Sequence, residues 1–145
     1  MLKPIEMNVD GSIITVDPIQ LGTIHDVSSE METIAADIGY YGQLLGAAEK
    51  QRDELDARYR SWRAEISNKC LANDPKMAEW KVKSFIEGQP DFLKLKRHAA
   101  QIQEWITTLV WVCKALSQKA ELLRSMGATE RQQYQATNMR TRKKS

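Results

Sequence analysis

LKRHAAQIQEWITTLVWVCKALSQKAELL, residues 95–123, is the stretch that decides the fold of this chain. Its apolar residues recur at alternating spacings of four and three. They are Leu95, Ala99, Ile102, Ile106, Leu109, Cys113, Leu116, Ala120 and Leu123. This spacing is the a/d seam of a long helix. We therefore predict a helix that packs along its length against another helix.

The middle of this stretch, residues 105–116, is apolar around nearly the whole helix circumference, and we call it the apolar belt. One partner helix cannot cover such a helix, because it is buried on more than one side. The belt is shorter than the roughly 20 residues of a membrane span, so we expect no membrane partner. We predict instead a homo-oligomer, closed as a ring or bundle. The predicted oligomer core comprises Trp105, Ile106, Leu109, Trp111, Val112 and Leu116.

An earlier heptad pattern predicts a first long helix over residues 29–70. Its apolar positions are Met31, Ile34, Ile38, Tyr41, Leu45, Ala48, Leu55, Tyr59, Trp62 and Ile66. Ser29 and Glu32 match a capping box, which places the helix start at Ser29. Three glycines lie inside this helix, at 39, 42 and 46. Close approach of another helix is the preferred explanation for them, and a local kink is the alternative.

Asn73-Asp74-Pro75 predicts a break, because Asp suits an N-cap and Pro suits the first helical position. A short helix is then expected over residues 75–87, and Gly88-Gln89-Pro90 ends it. Asp91 should cap the second long helix, which runs to about Met126, and Gly127 is either its end or a weak point in it. The fold class is therefore all-α: a long antiparallel helical hairpin, coiled-coil-like, with a short basic helix between.

Three segments are predicted along the chain. Residues 1–28 form an extended N-terminal arm, residues 29–138 the helical hairpin domain, and residues 139–145 a basic flexible tail. The arm holds a β-branched run at residues 13–16 that has no evident strand partner, and a lone strand is marginal. It is either a loosely docked arm or one that packs on a neighbouring subunit.

Catalytic signatures are absent from the sequence. It has no glycine-rich phosphate loop, and His25 and His98 lie far from each other and from triad or metal spacings. Cys70 and Cys113 lack CxxC spacing and are predicted to be free thiols in a reducing cytoplasm. We expect no enzyme activity, no catalytic residue, no metal and no cofactor.

The inter-helix segment and the tail carry the positive signal. Basic side chains interleaved with aromatic rings are typical of binding to single-stranded DNA without sequence preference. The predicted DNA-binding residues are Lys76, Trp80, Lys81, Lys83, Lys94, Lys96, Arg97, His98, Arg140, Arg142, Lys143 and Lys144. The alternative is a solvated basic face in which Trp80, Phe85 and Ile86 merely cap the hairpin.

The order of these parts resembles the UvsY-type phage recombination mediators. The resemblance covers residues 29–124. It rests on KVKSFI at residues 81–86, DFLK at 91–94, and a later group consisting of Trp105, Cys113, Ala115, Leu116 and Lys119. It implies a non-enzymatic helical protein that assembles into rings and binds single-stranded DNA. It also implies that Lys81, Lys83 and Lys94 contact the DNA.

The sequence is therefore compatible with two functions. By resemblance, the chain helps to load a RecA-like recombinase onto strands covered by single-strand-binding protein, in DNA recombination and repair. Alternatively, it is a non-enzymatic coiled-coil structural or assembly protein with no DNA affinity. The two predict the same homo-oligomer and differ in whether the basic residues bind a polyanion.

Overall fold

The computed structural model describes residues 3–143, with side chains described as far as Thr141. About 81% of it is helical, so the predicted all-α class is broadly confirmed, and a small two-stranded sheet is added. The elements are β1 (Ile5–Val9), β2 (Ser12–Val16), α1 (Pro18–Gly22), α2 (Val27–Asn73), α3 (Glu79–Glu87) and α4 (Pro90–Lys143).

The two long helices, α2 and α4, pack against each other in opposite directions. Met31, near the start of α2, lies against Gly127 of α4. Farther along α2, the ring of Tyr59 lies 6.4 Å from that of Phe92, near the start of α4. At 1.5 Å per residue α2 is roughly 70 Å long and α4 roughly 81 Å. Residues 129–141 of α4 are all exposed.

The core follows the spacing read from the sequence. Ile102, Leu109 and Leu123 of α4 are fully buried, as the a/d pattern predicts. Ala48 and Leu55 of α2 are buried in the same core. The periodicity therefore identified the faces with which the two helices meet.

The prediction of an extended N-terminal arm, residues 1–28, is wrong for residues 5–22, because these residues are folded. Strands β1 and β2 form an antiparallel hairpin in which Ile5 pairs with Val16 and Val9 with Ser12. The partner strand for residues 13–16 thus lies immediately before them in sequence.

Asp10 and Gly11 make the tight turn of this hairpin. Their φ angles are 54° and 79°, and two positive φ values in a row are what a type I′ turn requires. Asp-Gly between two short apolar runs is a strong hairpin signal in a sequence. It was available here and was missed.

The hairpin and α1 together form an N-terminal module, residues 5–22, that packs on the long helices. Met7, Val9 and Val16 are buried in the same core as the apolar belt. The module therefore supplies the second cover that the belt needs. Five of the six residues predicted as an oligomer core are consequently buried within one chain: Trp105, Ile106, Leu109, Val112 and Leu116. The exception is Trp111, which is 67% exposed.

The start of α2 differs from the prediction. It begins at Val27 rather than Ser29, and it ends at Asn73. The carboxylate of Glu30 accepts hydrogen bonds from the backbone N–H groups of His25 and Asp26, at 2.7 and 3.2 Å. Glu30, rather than Glu32, therefore satisfies amides that the first turn leaves free.

Three other predicted boundaries move as well. Helix α3 begins at Glu79 and not at Pro75, because residues 74–78 form a turn in which the Asp74 carboxylate accepts from the Lys76 N–H. Helix α4 begins at Pro90 and continues through Gly127 to Lys143. The predicted flexible tail is thus helical over residues 139–143, and residues 144 and 145 lie outside the described part of the chain.

Glycines serve a different purpose from the one predicted. A Cβ at Gly127 would lie 3.1 Å from Sδ of Met31, so this glycine permits close approach of the two helices. In contrast, a Cβ at Gly39, Gly42 or Gly46 would meet nothing within 4 Å. The prediction that another helix approaches these three glycines closely is therefore wrong within one chain.

Lys119 joins the N-terminal module to both long helices. Its Nζ lies 2.6 Å from Oε1 of Glu30, and the two side chains are 9% and 19% exposed. The same ammonium donates to the carbonyls of Leu21 and Thr23, at 3.0 and 3.1 Å. The hydrogen bond from Lys119, aided by those from the His25 and Asp26 amides, holds the pKa of Glu30 below its ordinary value, although burial opposes this.

Leu109→Ala should lower the free energy of unfolding by about 2–5 kcal/mol, because it opens a cavity in a fully buried site. Urea denaturation followed by circular dichroism measures this loss. Leu122→Ala is the matched control, since Leu122 is exposed on the same helix. Equal losses for the two variants would contradict the assignment of the core face.

Lys119→Met should lower the urea midpoint at pH 7, and the difference from the wild type should shrink as the pH falls below 4.5. A depressed carboxyl pKa stabilises the fold above the ordinary pKa, 4.5 for Glu30, and this contribution is lost as Glu30 is protonated. Lys114→Met, which changes an exposed lysine of α4, is the control. A pH-independent difference would show that Glu30 is not the partner that matters.

Candidate nucleic-acid interface

Helix α3 is held in place by a small core of its own. Val82 and Ile86, four residues apart, are buried together with Cys70 of α2. Half-buried apolar side chains surround them: Trp62, Ile66, Met77 and Phe92. Because residues four apart lie on one helix face, this core determines which side of α3 faces solvent.

The solvent side of α3 presents an aromatic ring beside a positive charge. Trp80 lies nearly opposite the Val82 and Ile86 face and is 67% exposed. Nζ of Lys81 lies 5.5 Å from the centroid of the Trp80 ring, within the range of a cation–π contact. Phe85, 52% exposed, follows Lys81 by one helical turn. This arrangement leaves the Trp80 ring accessible to a planar ligand.

Lys83 lies on the other flank of α3 and faces α2. Together with Arg60 and Arg63 it lines an open groove of about 600 Å³ between the two helices. Arg60 is paired with Asp56 at 3.1 Å, and Arg63 donates to the Tyr59 hydroxyl at 3.4 Å. The sequence reading missed both arginines. The sequence signal for them is that Arg60 and Arg63 lie three residues apart, with the seam residue Trp62 between them.

The start of α4 contributes a second set of basic residues. Lys94, Arg97 and His98 are exposed. Lys96 is held differently, because its Nζ lies 4.5 Å from the centroid of the Tyr59 ring and 5.7 Å from that of Phe92. Lys96 therefore stabilises the contact between α2 and α4 while its charge remains at the surface.

These basic residues carry uncompensated charge. Residues 56–97 hold ten Lys or Arg against six Asp or Glu. Within residues 3–143, the five ion pairs involve Lys50, Arg52, Arg60, Lys69 and Lys119. The lysines at 76, 81, 83, 94 and 96 are not among them, and neither is Arg97. We refer to residues 76–98 as the basic end of the molecule.

The structure separates Arg140, one of the predicted tail residues, from this basic end. Arg140 follows Lys96 by 44 residues in one continuous helix, which is a distance of roughly 66 Å. Arg140 is exposed, whereas the side chains of residues 142–144 lie outside the described part of the chain. Arg140 therefore lies too far from the basic end for one short strand segment to contact both.

The part of the chain that the structure describes contains neither a candidate metal cluster nor a disulfide. Between residues 3 and 143, no group of three or more His, Cys, Asp and Glu side chains is placed to hold a metal ion. Cys70 and Cys113 are both free, and burial raises the pKa of the Cys113 thiol. No helix of this part of the chain is both long and apolar enough to cross a membrane.

Neither a known protein family, nor a curated protein, nor a solved structure matches this chain.

Proposed function

We propose that this protein is a non-enzymatic recombination mediator that binds single-stranded DNA without sequence preference. The observation that carries the proposal is the exposed Trp80 ring with Lys81 beside it, in a region whose basic side chains lack acidic partners. Aromatic rings that stack on bases, next to cations that follow the backbone, bind single strands of any sequence.

Each group has a distinct role in this proposal. Trp80 and Phe85 stack on bases, and stacking contributes about 1–3 kcal/mol per base. Lys81, Lys83 and Lys94 contact phosphates, and each contact releases counterions from the strand. Since none of these groups distinguishes one base edge from another, no sequence preference arises.

The wider role is proposed from the resemblance to UvsY-type mediators. In this wider role, the protein helps to load a RecA-like recombinase onto DNA covered by single-strand-binding protein, in the cytoplasm of a phage-infected bacterium. The coiled-coil-like hairpin of α2 and α4 is the frame of a homo-oligomer. Trp111 is the predicted oligomer residue with surface left for another subunit.

A second candidate is a coiled-coil structural or assembly protein with no DNA affinity. The exposed apolar side chains Trp111 and Leu122 on α4 favour it, because apolar surface of this kind typically mediates protein contacts. The two candidates differ in one measurable property, which is affinity for single-stranded DNA.

Fluorescence anisotropy of labelled oligo-dT at two salt concentrations tests the proposal. We expect binding that weakens steeply with salt. Lys81→Ala/Lys83→Ala/Lys94→Ala removes three phosphate contacts and should reduce the slope of log K against log salt by roughly two. Lys50→Ala/Lys114→Ala/Arg124→Ala removes the same charge elsewhere and should leave most of the affinity.

Two outcomes would overturn different parts of this proposal. Absence of binding at low salt would favour the assembly protein. Equal losses in the two triple variants would show that net charge, and not the basic end, determines affinity.

Trp80→Ala should weaken oligo-dT binding by about 5- to 150-fold, the equivalent of 1–3 kcal/mol of stacking. Trp80→Phe should retain most of the affinity because it keeps an aromatic face. Tyr40→Ala, at an exposed aromatic residue of α2 far from the basic end, is the control. Unchanged binding by Trp80→Ala would exclude Trp80 as a stacking residue.

A further inference from the structure

The outer edge of β2 is an unused hydrogen-bonding surface. In a hairpin with a two-residue turn, the two residues that flank the turn exchange backbone hydrogen bonds, and so does every second pair beyond them. Here those pairs are Val9–Ser12, Met7–Ile14 and Ile5–Val16. The N–H and C=O groups of Ile13 and Thr15 therefore point away from β1. Among residues 3–143, no hydrogen bond to these four groups is formed.

The edge of β1 differs, because α2 covers it. The side chain of Gln51 donates to the carbonyl of Asn8 and accepts from the N–H of Asp10, both at 3.5 Å. A further strand is therefore obstructed at β1. The edge of β2 is left as the open side of the sheet.

The sequence of β2 does nothing to discourage pairing. Exposed edge strands are normally protected by charged residues, by proline or by a bulge. SIITV contains no charge and no proline. Ile13 is 71% exposed on the outer face of this strand, so apolar surface adjoins the free backbone groups.

We propose that two copies of this chain join along β2, antiparallel across a two-fold axis, and form a continuous four-stranded sheet. Centring the axis on Ile14 pairs Ile13 with the partner subunit's Thr15, and Thr15 with the partner subunit's Ile13. This register uses all four free backbone groups in each chain. A shift of two residues in either direction leaves two of them without a partner.

The side chains fit the same register. Ile14 is half-buried at the sheet edge, and it lies opposite the partner subunit's Ile14, in a position without hydrogen bonds where side chains are closest. Ile13 gains the methyl group of the partner subunit's Thr15 as a cross-strand neighbour. Both faces of the joined sheet thus lose exposed apolar surface.

The occupant is a second copy because the edge is complementary to itself. A two-fold contact places the same surface on both sides and closes after two subunits. Strands of five residues bury less than the roughly 1,200 Å² of a standard stable interface. We therefore expect a dimer that dissociates on dilution. This contact does not depend on DNA binding, since the N-terminal module lies apart from the basic end.

Sedimentation equilibrium over a range of concentrations tests the interface. The wild type should reach at least twice the 16.6 kDa chain mass. Ile13→Lys/Thr15→Lys places like charges opposite each other at both paired positions and should raise the dimer dissociation constant by at least about tenfold. Ile13→Glu/Thr15→Lys places opposite charges there and should dimerise nearly as well as the wild type.

The two double variants are matched controls, because both leave the buried face of the sheet unchanged and both place Lys beside Glu6 of β1. Their melting temperatures show whether each is folded. A folded Lys/Lys variant with wild-type dimerisation would overturn the proposal. So would a wild type that remains monomeric at every concentration.

Disulfide trapping tests the register in a second way. Ile14→Cys should form a covalent dimer on oxidation, because opposed residues in this position have Cα atoms about 4.5 Å apart. Ile13→Cys should not, since it lies two residues from its symmetry mate. Trapping by Ile13→Cys alone would overturn the proposed register, and trapping by neither variant would overturn the β2 contact. Oligo-dT binding is measured separately on the Ile13→Lys/Thr15→Lys variant. Failure of the β2 contact can therefore be distinguished from failure of the proposed function.

Discussion

The apolar belt of α4 has to be shielded from water on two sides, and the other elements are arranged to do so. Helix α2 covers one side through Ala48 and Leu55, and the N-terminal module contributes Met7, Val9 and Val16 to the same core. Burial of this kind is the dominant favourable term in folding. Because the cover comes from the same chain, a monomer can satisfy a requirement that the sequence seemed to place on an oligomer.

The long helices could be predicted because a/d spacing directly records which face is buried. The module could not be found by that method, since a hairpin of two five-residue strands leaves no helical periodicity. Its signal was the Asp10-Gly11 turn, which is local chemistry. The ends of the helices were also misjudged. Gly127 looks like a terminator in sequence, but here it allows Met31 to approach α4, a tertiary contact that no local pattern shows.

The residues of the candidate site could be predicted from the sequence, but their arrangement in space could not. Lysines near Trp80 are visible in the sequence, but their grouping depends on Val82 and Ile86 anchoring α3 against α2. That anchoring turns Lys81 toward solvent and Lys83 toward Arg60 and Arg63. Helix α4 in turn holds Arg140 far from Lys96, so this residue of the predicted tail does not belong to the same site.

The first third of α2 is a weak helix that tertiary contacts maintain. Gly39, Gly42 and Gly46 each cost about 1 kcal/mol relative to Ala, and no neighbouring atom compensates for their missing side chains. Apolar side chains among these glycines, such as Tyr41 and Leu45, pack against the core, and Lys119 binds Glu30 before them. Because the same lysine also holds the end of α1, the start of α2 and the N-terminal module are expected to gain and lose structure together. An ordered β2 edge therefore requires an ordered α2, which couples the sheet surface to the helical frame.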